Sequence, residues 1–191
     1  MADVQEIALE RWADDDALAR AAEHDSAAFA ELYRRHLNRV YRFALARLGD
    51  VHQAQDLTAQ TFLAALEGIA GYRGQGAFAA WLLTIARHKL VDHFRRSRAF
   101  LPLEAAIQVV APGPPPEQLV VARLQMEQVA RMLPALAPER AEALALRLFS
   151  GLSVAEVAQV MGKRESAVKM LVHRALHDLR ERLAFSSEME P

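Results

Sequence analysis

The chain has 191 residues, 52% of them hydrophobic and 25% charged, and a formal net charge of −1, so it can bury one large or two small cores. It has no cysteine, which excludes disulfides, thiolate metal sites and cysteine nucleophiles. No leader and no apolar run of about 20 residues is visible, so a cytoplasmic chain without membrane insertion is expected.

The near-neutral total hides an asymmetry. Met1–Glu31 carries a balance of −7, Arg73–Arg98 of +5 and Lys163–Arg182 of +3. Two separate basic segments in a near-neutral protein are local footprints for an anionic partner.

Glycine and proline are sparse, Ala and Leu frequent, and no stretch alternates at period two, so an all-α chain is predicted. Asp14-Asp15-Asp16 can cap a short helix ending near Glu23, and Asp25 or Ser26 caps the next. That second helix places Phe29, Leu32, Tyr33, Val40, Phe43 and Ala44 on one face and stops at Gly49. Asp50 opens a third helix to about Ile69. A loop, Ala70–Gln75, carries or adjoins Gly71, Gly74 and Gly76. A fourth helix runs to about Arg96 with Phe78, Trp81, Leu82, Ile85 and Ala86 inside. From Ala99 the periodicity ends. Pro102 and Ala111-Pro112-Gly113-Pro114-Pro115-Pro116 mark a flexible linker. Helix resumes near Glu117 and runs to about Leu133, and Pro138 starts another that reaches Phe149. The expected organisation is two small helical domains, residues 1–98 and 117–191, joined by a Pro-rich linker over 99–116.

The last segment is the most specific. Ser153 and Glu156 form a capping box, Leu152 and Val157 stand where a hydrophobic staple closes, and Gly162 supplies a left-handed stop. A longer helix follows, with Val168, Leu171, Val172, Ala175, Leu176, Leu179 and Leu183 in one stripe. Arg164, Glu165, Ser166, Lys169, His173 and Arg174 lie off that stripe at its leading end. A capped helix, a Gly turn and a one-sided helix with a polar start describe a helix-turn-helix. An antiparallel hairpin with a solvated charged face fits the same spacing. The side-chain types favour DNA, because Ser, Lys, Arg and His at a helix N-terminus reach base edges and phosphates.

With these residues in hand, the chain resembles the extracytoplasmic-function (ECF) family of bacterial RNA polymerase sigma factors. The first half matches through Ala28-Phe29-Ala30-Glu31-Leu32-Tyr33, Val40-Tyr41-Arg42, Asp56-Leu57, Thr61-Phe62, Phe78 with Trp81-Leu82, Ile85-Ala86-Arg87, Leu90, Asp92 and Arg95-Arg96. The second matches through Gly151-Leu152-Ser153, Ala155-Glu156-Val157-Ala158, Gly162, Ala167-Val168-Lys169 and His173-Arg174-Ala175. The ordered set covers nearly the whole chain.

The resemblance implies a dissociable initiation subunit. Its first domain docks on core RNA polymerase and captures the melted minus-ten promoter element, and its second reads the minus-thirty-five element as duplex. The implied minus-ten contacts are Arg73, Gln75, Arg87, His88, Lys89, Asp92, His93, Arg95 and Arg96. The minus-thirty-five contacts are Arg164, Glu165, Ser166, Lys169, Met170, His173 and Arg174. Asp56, Leu57, Gln60 and Phe62 are the implied polymerase contacts, and an anti-sigma factor is a candidate partner. Gln55, Ala59-Gln60 and His88 depart from the residues frequent in the family, Glu, Gln-Glu and Asn.

Other readings stay in view. Trp81 suits base stacking, but it lies on the inner stripe and is expected in the core. His173 and His177 have metal-binding spacing without a carboxylate or cysteine constellation, so no metal or other cofactor is expected. No catalytic arrangement is visible, and no enzyme activity is expected. A helix-turn-helix regulator with an N-terminal sensing domain is the alternative; the basic Arg73–Arg98 segment speaks against it, since a sensor does not need one.

Overall fold

The computed structural model describes residues 14–74, 77–97 and 128–188, and every regular element among them is helical. The expected linker over 99–116, the helix start at Glu117 and Gln75 lie outside the described residues.

Helix α1, Asp15–Ala21, is opened by Asp14, whose carboxylate accepts from the Asp16 amide at 3.3 Å. Helix α2, Ser26–Leu48, is capped by Asp25 and ends at Gly49, where φ is 72°. Helix α3, Val51–Gly68, is capped by Asp50, which accepts from the Gln53 amide at 2.7 Å. Each carboxylate satisfies amides that the first turn leaves without partners. A 3₁₀ turn, Ile69–Gly71, leads through Tyr72 to helix α4, Phe78–Ser97.

In the second half, residues 128–132 are helical and run into a 3₁₀ turn, Leu133–Ala135. Helix α5 is Pro138–Leu144, with Pro138 at its first position. Helix α6, Val154–Met161, and helix α7, Glu165–Glu188, complete the described residues. The sequence predicts one helix from Pro138 to Phe149, but its last turn, Ala145–Phe149, is π-helical. The Ser150 amide donates five residues back to the Ala145 carbonyl at 3.3 Å, and Arg147 Nη1 donates to the Leu152 carbonyl at 2.8 Å. The wider turn lets the chain reverse while Leu152 stays fully buried.

The two halves share one continuous core. Leu18, Leu32, Phe43, Phe78, Leu82 and Leu90 from the first half join Leu133, Leu144, Leu146 and Leu152 from the second. The contact is made by α6 against α4 and by the π turn against α2. At this seam Glu142, only 8% exposed, accepts from Arg87 Nε at 2.8 Å.

Candidate nucleic-acid interface

The expected helix-turn-helix is formed by α6 and α7. Glu156 donates its amide to Ser153 Oγ at 3.2 Å, and its carboxylate accepts from the Ser153 amide at 2.7 Å. Leu152 and Val157, the staple pair, are both fully buried, and Gly162 turns with φ 62°. Val168, Ala175 and Leu179 are buried, while Leu171, Val172 and Leu176 are half-buried. That seam fixes the rotation of α7. Arg140 Nη1 to Asp178 at 2.6 Å and Arg182 Nη2 to the Ala135 carbonyl at 3.0 Å brace its far end. Lys163, in the turn, reaches Glu139 at 2.9 Å.

The rotation leaves Arg164, Glu165, Ser166, Lys169, Met170, His173 and Arg174 all exposed. No ion pair among the described residues engages any of them. Donors, an acceptor and a polarisable thioether thus stand together at the leading end of a helix. His177 lies 3.6 Å from Glu181, next to Asp178, which is already paired with Arg140.

The basic face of α4 is more divided. Arg73 is exposed beside Gly74, whose φ is 65°. His88, Arg95 and Arg96 are exposed, and Lys89, Asp92 and His93 are half-buried. Arg95 lies 3.3 Å from Asp92. Arg87 faces inward to Glu142 and is, among the described residues, the one predicted minus-ten contact that the fold commits to the seam between the halves. Beside it, burial lowers the Arg47 guanidinium below its ordinary range, and the Glu142 carboxylate acts in the opposite sense. The Arg47 Nε has no hydrogen-bond partner. Glu142 is thus paired with Arg87 of α4, and its charge also favours the Arg47 guanidinium of α2.

Sequence reasoning missed two members of this face. Val91 is 50% exposed and Phe94 is 36% exposed, with the Arg47 guanidinium 5.7 Å from the Phe94 ring centre. Their place among Asp92, His93 and Arg95 was the available signal. Trp81, by contrast, is half-buried and packs as expected, with ring centres 5.4 Å from Phe78 and 5.2 Å from Tyr72.

On α3 the four predicted polymerase contacts separate. Asp56 and Gln60 are exposed, but Leu57 and Phe62 are buried at 5% and 4%. Phe62 packs edge-on against Tyr33 at 4.6 Å, so these two side chains hold α3 in place and cannot reach a partner directly. The exposed apolar residues are instead Leu63 and Leu66, beside Gln60 on the outer face. No helix among the described residues is long and apolar enough to cross a membrane.

Residues 32–100 match the family model for sigma-70 region 2, and residues 126–179 match that for sigma-70 region 4. The chain is 41% identical over 164 residues to the ECF RNA polymerase sigma factor BldN of Streptomyces coelicolor, covering 84% of this chain and 61% of that protein. It thus spans about three-fifths of the length of that relative. It is 30% identical over 182 residues to the ECF sigma factor SigD of Mycobacterium tuberculosis, covering 91% of this chain and 85% of the relative. Among solved structures, CnrH in complex with the cytosolic domain of CnrY superposes with a TM-score of 0.69 at 27% identity, covering 90% of this chain and 97% of that one. With two sigma-70 regions in order on one helical core, and a relative matched along most of its length, the chain belongs to the ECF RNA polymerase sigma factor family.

Proposed function

We propose that the chain acts as a dissociable specificity subunit of RNA polymerase, directing transcription initiation in the cytoplasm. The observation that carries this reading is the exposed, unpaired leading end of α7 on a fully capped helix-turn-helix. In the proposal, Arg164, Glu165, Ser166, Lys169, Met170, His173 and Arg174 meet the minus-thirty-five duplex. There Lys and Arg can donate to guanine or phosphate, and Glu165 can accept from cytosine. Arg73, His88, Lys89, His93, Arg95 and Arg96 track the melted minus-ten strand, with Phe94 and Val91 offering apolar surface to unstacked bases. Asp56 and Gln60, extended by Leu63 and Leu66, form the surface for core polymerase.

None of these roles needs a catalytic residue or a cofactor. CnrH is held by the cytosolic domain of another protein, CnrY, and an inhibitor acting in trans is the corresponding expectation here.

Run-off transcription with core polymerase and a promoter library tests the proposal. A sigma factor confers specific initiation on core enzyme alone, whereas a helix-turn-helix regulator needs a holoenzyme that already carries another sigma. Asp56→Arg, which reverses a charge on an exposed site, is expected to weaken capture of core enzyme without unfolding the chain. Full capture by that variant would move the polymerase surface elsewhere.

A further inference from the structure

The three aspartates that begin the described chain do three different things. Asp14 caps α1. Asp15 ties α1 to α2, with Oδ1 3.1 Å from Arg35 Nη1 and Oδ2 2.7 Å from His36 Nε2. Asp16 reaches away from both: its Oδ1 accepts a 2.5 Å hydrogen bond from the Tyr72 hydroxyl, 56 residues along the chain. Behind it, Leu18 and Ala19 are buried in the core, so α1 is a fixed platform.

Tyr72 is where the 3₁₀ turn ends and the path toward α4 begins. Its amide donates to the Ile69 carbonyl at 3.0 Å, and its ring meets Phe78 edge-on at 5.5 Å. The residues that follow are Arg73 and Gly74. A Cβ placed on Gly74 would lie 3.9 Å from Asp16 Oδ2, so the carboxylate that accepts the Tyr72 hydrogen bond also borders the next turn of the chain. Both oxygens of Asp16 therefore face this loop. Burial, with Asp16 as the next cause, pushes the Tyr72 phenol far above its ordinary range, which keeps it a donor at any working pH.

We propose that Asp16 is a positioning residue for minus-ten recognition: through Tyr72 it fixes the base of the loop that carries Arg73 and Gly74, and so sets how that loop meets the melted strand. This rests on the reading above that the loop and α4 see the melted strand. A loop that must meet the strand in one conformation gains from being anchored at its base, because ordering it beforehand removes an entropy loss from the binding step. The anchor comes from the acidic start of the chain, outside the basic DNA-facing segment.

The test uses the full chain with core polymerase and a set of promoters randomised at the minus-ten element. Asp16→Asn and Tyr72→Phe keep the shapes and weaken or remove the bond. Each is expected to reduce base discrimination by about tenfold at one minus-ten position, the size of a charge-assisted hydrogen bond. The double variant is expected to lose no more than the stronger single one, since both remove the same contact. Minus-thirty-five preference and capture of core enzyme are expected to stay unchanged, which a merely destabilised fold would not allow. Retained minus-ten discrimination in both single variants, or a uniform fall in initiation without a change of preference, overturns the positioning role. Arg73→Ala in the same assay separates the premises. If it changes base preference while Tyr72→Phe does not, only the role of Asp16 falls; if neither does, the minus-ten assignment of the loop falls as well.

Discussion

Helices α4 and α7 are the two candidate DNA-facing helices, and they are built on opposite terms. The seven predicted contacts at the leading end of α7 are all exposed and that end is seated by an apolar seam, while the charged contacts of Asp178 and Arg182 are confined to its far end. Helix α4 uses its polar side twice. Arg87 joins Glu142 across the seam, Arg95 meets Asp92, and Phe94 lies under Arg47, while His88, Arg95 and Arg96 still reach solvent. A helix end seated by hydrophobic packing can change its outward residues freely. A helix seated partly by charge cannot, because the same residue types serve the fold and the proposed ligand.

The hardest blow to that contrast is Glu142→Ala. Removing the carboxylate leaves the Arg87 guanidinium without its partner in a poorly solvated seam and takes from Arg47 a favourable charge. Breaking a buried pair in this way costs roughly 3–5 kcal/mol. The lower end is expected here, because the Arg87 side chain keeps 27% exposure. Denaturant unfolding of the full chain measures it; a loss near zero would mean that the seam is held by its apolar contacts alone and that α4 is seated as the leading end of α7 is.

On α7 the contrast is sharpened by separating base contacts from phosphate contacts. Glu165→Ala and Lys169→Ala are each expected to cost about 1–3 kcal/mol at one base pair and to change minus-thirty-five preference, whereas Arg174→Ala lowers affinity for all sequences alike. Selection from a randomised duplex reads both effects. Identical preferences and affinities for all three variants would remove α7 from DNA recognition.

Replacing Arg95 and Arg96 together by Ala is expected to act through salt. Each lost phosphate contact lowers the slope of log affinity against log salt by about 0.7 on a single strand. Open-complex titrations at several salt concentrations test this, and an unchanged slope would leave α4 without phosphate contacts at its exposed end.

The smallest expected effect lies under α4, where the His36 ring sits 5.2 Å from that of Phe78. Burial holds His36 below its ordinary 6.5; Asp15 raises it, and Arg39 and Arg35 lower it. With Nε2–H donated to Asp15, a second proton would go to Nδ1, which is buried and has no acceptor. The unfolded chain therefore protonates first. Stability is full above the unfolded value of 6.5 and is lost as pH falls through it, levelling once the folded ring also protonates. Unfolding measured at pH 8 and 5.5 should show a decline that His36→Gln abolishes; a decline that survives the substitution belongs to another group.

Much of this was legible in the sequence because it is local. A cap needs only a carboxylate or hydroxyl at one position, so Asp25, Asp50 and Ser153 announced three helix starts, and Gly49 and Gly162 announced two stops. The stripe of α7 told which residues remain outside. What stayed hidden is tertiary. On α3, Leu57 and Phe62 point inward while Leu63 and Leu66 point out, and a helix with apolar residues on adjoining faces does not say which face is covered. Glu139 and Glu142 stand three apart on α5, yet one meets Lys163 at the surface and the other is buried against Arg87. The π turn leaves no periodic trace, since it rests on one widened set of backbone bonds.

The placement of Glu142 also bears on how such chains can be recombined. Its ion-pair partner Arg87, and Arg47 whose charge it favours, belong to the region 2 match, and Glu142 itself belongs to the region 4 match. A chimera that grafts a foreign second half onto this first half inherits both guanidiniums whether or not it brings an acid to face them. The reverse graft inherits a buried carboxylate with no cation assured. The halves look like exchangeable cassettes, but they share the Arg87–Glu142 pair, and a hybrid that keeps this seam has to carry both residues together.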